Sequence, residues 1–114
     1  MTETIRIPYK DPSSEVVTSE PYIIVIEDDS IEVHARYYII EKDEDTLLPK
    51  DVKVDSIDLI MKSAVIGVVV GRSVKYGDYL VDIYYGDRVQ DFFFNTKSEA
   101  MELYVKLSKW RKAK

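Results

Sequence analysis

The strongest structural signal in this sequence is its last third, from Tyr79 to Lys114. Two runs rich in aromatic and β-branched residues, Tyr79–Tyr85 and Val89–Phe94, are joined at Gly86–Asp87, which is the pattern of a β-hairpin. The segment Thr96–Glu99 follows at once and has the spacing of a helix capping box. This third of the chain therefore predicts two antiparallel strands and one helix.

The predicted C-terminal helix is amphipathic. Its apolar residues recur at three- and four-residue spacing and share one face: Ala100, Leu103, Tyr104, Leu107 and Trp110. We expect that face to lie on the sheet, because an apolar helical stripe is stable only when another element covers it.

A second hairpin is predicted upstream, where the β-branched run Tyr22–Ile26 precedes a longer alternating run, Ile31–Ile40. The predicted inner face of the longer strand carries Ile31, Val33, Ala35, Tyr37 and Ile39. Its predicted outer face carries Glu32, His34, Arg36 and Tyr38. This alternation indicates a half-buried strand with one solvent-exposed face. The segment Glu41–Thr46 that follows it is predicted to be an exposed acidic loop.

Residues 51–70 admit two interpretations. As strands, Val52 and Val54 share a face, and Ile57, Leu59 and Met61 require a bulge to reach the same face. We place that bulge near Asp55–Ser56. As a helix, the apolar residues at helical spacing are Ile57, Ile60, Met61 and Ala64. We favour strands for 52–62, and the apolar run Val65–Val70 is predicted to be a buried central strand.

The fold class predicted from these elements is α+β: a mainly antiparallel sheet of five to seven strands with one C-terminal amphipathic helix packed on it. Residues 1–20 carry Pro8 and Pro12 and show little periodicity. We therefore expect a loosely ordered N-terminal arm over 1–20, apart from a short edge strand at Ile5–Ile7, and a single domain over 21–114.

Composition excludes several functional classes. With 46% hydrophobic and 32% charged residues the chain is typical of a soluble globular domain, and it has no apolar run long enough to span a membrane. Zero cysteines exclude disulfides and thiol catalysis. No signal-peptide pattern opens the chain, so we expect a cytoplasmic protein without membrane contact.

A bias against thermolabile side chains is also present. The chain has no Cys, a single Asn (Asn95) and a single Gln (Gln90) beside many charged residues. This bias is typical of proteins from hot environments, and it predicts a thermophilic source, archaeal or an archaeal virus.

No recognisable set of catalytic, metal-binding or cofactor-binding residues is present. His34, the only histidine, has no nucleophile or orienting partner in the pattern, so we predict neither an enzyme nor a cofactor. The acidic runs Glu27–Asp29 and Glu41–Asp45 lack the glycine of a calcium loop, although a weak magnesium site stays open there. The run Gly67–Ser73 fails the spacing of a phosphate-binding loop.

Two surfaces are predicted instead. Tyr and Arg are enriched at protein interfaces, so the candidate interaction surface consists of His34, Arg36, Tyr38 and Tyr84, and the expected partner is a protein, most simply a second copy. The alternative function is a nucleic-acid-associated accessory protein that uses a basic patch at the helix end: Lys106, Lys109, Trp110, Arg111 and Lys112. The net charge of −5 disfavours that alternative.

The order of elements resembles a small pleckstrin-homology-like domain over 22–112, with consecutive antiparallel strands and then a helix that contains Trp110. The lipid-binding members of that family carry basic residues in the first hairpin, whereas this turn reads Glu27–Asp29. The family's tryptophan also lies further inside the helix than Trp110 does. The resemblance therefore implies a scaffold for protein contacts and does not imply phosphoinositide binding.

Overall fold

The computed structural model describes residues 2–7, 16–19, 21–75 and 77–113, with the backbone alone described for 16–19. These residues form two antiparallel sheets and one C-terminal helix, which confirms the predicted α+β class. The predicted strands at 22–26, 31–40, 79–85 and 89–94 are confirmed, and so is the strand interpretation of 52–62, except that Lys62 lies in a 3-10 turn.

Sheet A contains five strands: β1 (Glu3–Ile7), β2 (Val16–Ser19), β3 (Tyr22–Ile26), β4 (Ser30–Lys42) and β5 (Pro49–Met61). Its main path runs β1-β3-β4-β5. The short strand β2, which the sequence did not predict, pairs with β4 beyond the end of β3. The long strands β4 and β5 thus extend past the part of the sheet that β1 and β3 cover.

Sheet B contains three strands in the order β6 (Val65–Arg72), β7 (Tyr79–Tyr85) and β8 (Arg88–Phe94). A single 3-10 turn, Lys62–Ala64, joins β5 to β6. The expectation that Val65–Val70 is a buried central strand is wrong, because β6 is an edge strand and exposes Ile66 and Val69. The apolar side chains of β6 are therefore not all covered by the rest of the protein.

The helix α1 (Lys97–Lys112) begins at the predicted cap. The Thr96 Oγ1 accepts a hydrogen bond of 3.3 Å from the backbone N–H of Glu99, and the Thr96 hydroxyl donates one of 2.8 Å to the Glu99 carboxylate. Its buried face packs on sheet B and consists of Ala100, Leu103, Leu107 and Trp110. The predicted amphipathic face is confirmed, with Tyr104 half-buried against the core.

The core lies between the inner faces of the two sheets, and α1 completes it. Its largest fully buried side chains come from both sheets and the helix: Phe92, Ile24, Ile31, Ile60, Ile83 and Leu107. The rings of Tyr22 and Phe92 meet edge to face across the sheets at 5.4 Å. The alternation predicted for Ile31–Ile40 is confirmed, since Ile31 and Val33 are buried.

The β4–β5 hairpin has an unbroken register, from Lys42 opposite Pro49 to Ser30 opposite Met61. The bulge predicted near Asp55–Ser56 is therefore wrong. Without a bulge, Ile57, Leu59 and Met61 lie on the face opposite Val52 and Val54 and point away from the core. The sequence argument failed because it assumed that all apolar residues of the strand are buried.

The Asp43 side chain caps the hairpin turn. The Asp43 Oδ1 accepts hydrogen bonds from the backbone N–H groups of Asp45 (2.9 Å) and Thr46 (3.1 Å), and these bonds lower the pKa of that carboxyl. Leu47 follows in the left-handed region with a φ of 60°. The predicted loop over 41–46 is thus a turn over 44–46, and Glu41 and Lys42 belong to β4.

Of the predicted N-terminal arm, residues 3–7 form β1 and pair with β3, and Ile7 is buried in the core. The predicted edge strand at Ile5–Ile7 is therefore present and slightly longer. Residues 16–19 of the predicted arm form β2, and residues 1, 8–15 and 20 lie outside the described residues.

Candidate interaction surface

The face of sheet A that points away from the core, called the outer face below, carries three of the predicted interaction residues. His34, Arg36 and Tyr38 occupy alternate positions of β4 and share this face. On the neighbouring strand β5 they face Ile57, Asp55 and Lys53, respectively. The structure therefore brings these three residues together on one surface.

Tyr84 does not join them. It lies on β7 in sheet B, where it is exposed opposite Val89 and next to Gly67. Alternation along β7 buries Val81 and Ile83 and turns Tyr84 outwards on sheet B. The division of the strands between two sheets, which the sequence pattern did not reveal, separates Tyr84 from the other three.

The outer face also carries three apolar side chains that the sequence interpretation placed on the inner face. Ile57, Leu59 and Met61 expose 66%, 57% and 44% of their surface. We call them the β5 outer row. Their neighbours on the same face include the partly buried Ile23 and Val25 of β3, beyond β4. Glu32 and His34 of β4 lie between the two groups, so the exposed apolar surface is the β5 outer row itself. Exposed apolar side chains clustered in this way mark candidate contact sites.

The polar part of the outer face is paired within the chain. The Nε of Arg36 donates a hydrogen bond of 2.8 Å to the Asp55 carboxylate, and the Lys53 ammonium lies 3.8 Å from the same group. The His34 Nε2 lies 3.1 Å from the Glu32 carboxylate. Because all these groups are partly or largely exposed, each pair contributes little to stability, about 0 to 1 kcal/mol. They give the surface a defined pattern of charge.

A shallow depression of about 280 Å³ lies where the outer face meets the end of β3. Its lining combines apolar and charged side chains, including Pro21, Ile23, His34, Arg36 and Ile57. The His34 imidazole borders this depression together with Ser56, and its carboxylate neighbour is Glu32.

The outward face of sheet B contains an aspartate pair, Asp82 on β7 opposite Asp91 on β8. Burial raises the pKa of Asp82 to about 7, and hydrogen bonding to Asp91 and its negative charge add to the effect. Of the two Asp82 carboxyl oxygens, Oδ1 is buried and finds no hydrogen-bond partner among the described residues. Asp82 therefore holds a proton at pH values where an ordinary aspartate is ionised.

The basic residues at the helix end are largely engaged in internal contacts. Lys106 pairs with the Glu3 carboxylate, which raises the pKa of Lys106, and the guanidinium of Arg111 donates a hydrogen bond of 2.6 Å to the Ile66 carbonyl oxygen. Trp110 is 7% exposed and belongs to the core. Lys109 and Lys112 are exposed. Stacking on a nucleic-acid base requires an accessible ring, whereas the Trp110 ring is covered.

The acidic segments do not assemble a metal site in the part of the chain that the structure describes, since no three His, Asp or Glu side chains converge there. The Asp43 carboxylate is occupied by the turn that it caps.

Comparisons with protein-family models, with curated proteins and with solved structures found no match to this chain. No helical segment in the described ranges combines the length and the apolar content needed to cross a membrane. The functional interpretation therefore depends on the geometry of the surfaces described above.

Proposed function

We propose that this protein is a non-enzymatic interaction domain that binds a second copy of itself through β5 and the outer face beside it. The observation that carries the proposal is the β5 outer row, three exposed apolar side chains on a strand at the edge of sheet A. Partial covering of such a side chain, about 20 to 40 Å² of apolar surface, stabilises an interface by about 0.5 to 1 kcal/mol. Apolar surface beside an open strand edge favours association with another chain.

His34, Arg36 and Tyr38 extend this surface on the same face, as predicted for an interaction site. Tyr84 lies on sheet B and takes no part in the proposal. The charged groups around the β5 outer row supply a polar rim, which is the usual anatomy of a protein interface.

Sedimentation equilibrium over micromolar concentrations tests the proposal. We expect the wild-type protein to self-associate, and the double variant Ile57→Thr, Leu59→Thr to do so on the order of ten-fold more weakly. Val89→Thr on β8 is the matched control, because Val89 is also an exposed strand residue but lies on sheet B. A wild-type protein that stays monomeric at every concentration would remove the proposal.

The order of elements supports a relationship to pleckstrin-homology-like domains as part of this proposal. Sheet A, in which β1, β3, β4 and β5 are neighbouring antiparallel strands, precedes a three-strand meander and then a C-terminal helix. The acidic Glu27–Asp29 segment at the first long hairpin argues for a protein partner and against an anionic lipid headgroup.

The alternative function, nucleic-acid association through the helix end, has less support. Trp110 is covered, and Lys106 and Arg111 bind groups of the chain itself. Fluorescence anisotropy with single- and double-stranded probes separates the two functions. Tight binding that weakens steeply as salt rises would favour the alternative.

The proposed setting is the cytoplasm of a thermophilic organism, on the composition described above.

A further inference from the structure

The free edge of β5 offers a specific geometry for self-association. β5 pairs with β4 along its whole length, and none of the described strands lies on its other side. An edge of this length presents a row of backbone N–H and C=O groups that a further strand can pair with. Proteins usually protect such an edge with charged residues, because like charges oppose pairing.

The charges on β5 are arranged differently, since they complement one another when the strand meets a second copy of itself. Along the strand they are Lys50, Asp51, Lys53, Asp55 and Asp58. A two-fold axis perpendicular to the sheet pairs β5 with its copy in antiparallel orientation and keeps outer face beside outer face. Each possible register is then defined by the residue that faces its own copy.

The register centred on Val54 gives most of these charges an opposite charge on the second copy, in addition to the pairs that Lys50 and Lys53 make with Asp43 and Asp55 of their own chain. It places Lys53 opposite Asp55 of the second copy and Lys50 opposite Asp58, and symmetry repeats each pair. No like charges face each other, and the paired segment extends from Pro49 to Leu59. Opposite charges directly across a strand pair stabilise it.

Other registers match fewer charges. Centring on Lys53 places Lys53 opposite itself and Asp51 opposite Asp55, both of which are repulsive. Centring on Leu59 brings the β5 outer row against its copy but pairs only Ile57–Met61, because the 3-10 turn begins at Lys62. The Val54 register is both longer and better matched in charge.

We propose that two copies of this chain associate by antiparallel pairing of their β5 edges centred on Val54, which joins the two A sheets into one continuous sheet. This inference rests on the proposed function and adds the partner strand and its register. In the assembly, Ile57 and Leu59 gain Asp51 and Pro49 of the second copy as neighbours on the outer face.

Cysteine cross-linking reads the register directly, because the natural chain has no cysteine. Directly opposed residues in an antiparallel pair lie about 5 Å apart, within reach of a disulfide. We expect Val54→Cys to cross-link on oxidation and Leu59→Cys not to, since residue 59 and its copy would be offset by about 33 Å along the strands. Cross-linking of Leu59→Cys in place of Val54→Cys would overturn the register.

A charge-exchange experiment gives an independent readout. Lys53→Asp alone and Asp55→Lys alone should each weaken self-association on the order of ten-fold, because like charges then face each other. Mixing the two variants should restore association, since Asp at position 53 then faces Lys at position 55. Circular dichroism verifies that each variant is folded, in particular Asp55→Lys, which loses its bond to Arg36.

These experiments test self-association and the β5 pairing separately. A monomeric wild type would remove the proposed function and this inference together. A wild type that self-associates, with no cross-link at Val54 and no effect of either charge variant, would retain the proposed function and overturn the β5 pairing.

Discussion

The indole Nε1–H of Trp110 donates a hydrogen bond of 2.6 Å to the backbone carbonyl oxygen of Glu27. This bond joins the last turn of α1 to the turn between β3 and β4, and thereby links the helix to sheet A. The Lys62 ammonium lies 5.1 Å from the centre of the same ring and donates a hydrogen bond to the Ala113 carbonyl oxygen. The end of the helix is thus tied to the β3–β4 turn and to the 3-10 turn that follows β5.

Replacing Trp110 with Phe should lower the free energy of unfolding by about 1 to 2 kcal/mol, because the hydrogen bond and part of the buried ring are lost. Urea unfolding followed by circular dichroism measures the change. Tyr104→Phe is the control, since it removes a polar atom from the same helix and leaves the bond to Glu27 intact. An unchanged stability of Trp110→Phe would show that this bond does not hold the helix end.

Asp82→Asn should change how stability depends on pH. The folded-state pKa of Asp82, about 7, lies above its unfolded value, so the folded state binds more protons between about pH 4 and 7. This group's contribution to stability therefore falls as pH rises through that interval. We expect Asp82→Asn to be more stable than wild type at pH 8 by about 1 kcal/mol, a value discounted for partial exposure, and to lose that advantage near pH 4.

Urea unfolding at pH 4.5 and pH 8 measures the difference for Asp82→Asn. Asp87→Asn, an exposed carboxylate in the neighbouring turn, serves as the control and should show no comparable change between the two pH values. Equal effects of the two substitutions at both pH values would contradict the role assigned to burial and to Asp91.

Thr96→Ala should lower stability by about 1 kcal/mol, because it removes the side-chain oxygen that accepts from the Glu99 N–H at the start of α1. Ser98→Ala is the control, since Ser98 is an exposed residue of the same turn and does not cap the helix. Thermal unfolding of both variants measures the difference, and a Ser98→Ala effect as large as that of Thr96→Ala would contradict the capping role.

A thermophilic source, as proposed from the composition, predicts a melting temperature above about 80 °C, compared with about 45 to 65 °C for mesophilic domains. Differential scanning calorimetry at neutral pH tests this expectation. A midpoint within the mesophilic range would contradict the predicted source.

The alternation of Ile31–Ile40 and the capping box at Thr96 were sufficient to predict β4 and α1, because each pattern has one low-energy structure. The division into two sheets was not predictable in the same way. It depends on the break between β5 and β6 at Lys62–Ala64, and this segment contains no glycine or proline that would indicate a break. The strand β2 was missed because its pairing with β4 depends on contacts distant in sequence.

The candidate interaction surface was also predicted only in part. Polar residues on an alternating strand identified His34, Arg36 and Tyr38, whereas Ile57 and Leu59 were misassigned because burial was expected of every apolar residue. Strict alternation along β5 could have located them, because it places Ile57 and Leu59 on the face opposite Asp58 and Ile60. That face is the outer face.

The unbroken register of the β4–β5 hairpin has a consequence for how the chain folds. Its strands can close stepwise from the turn that Asp43 caps, starting with Lys42 and Pro49, so each step costs little loop entropy. The contact between Glu3 and Lys106 instead spans 103 residues of sequence. We expect the hairpin to form early and the two ends of the chain to meet last. Stopped-flow kinetics should then show Asp43→Ala slowing folding, while Lys106→Ala mainly accelerates unfolding.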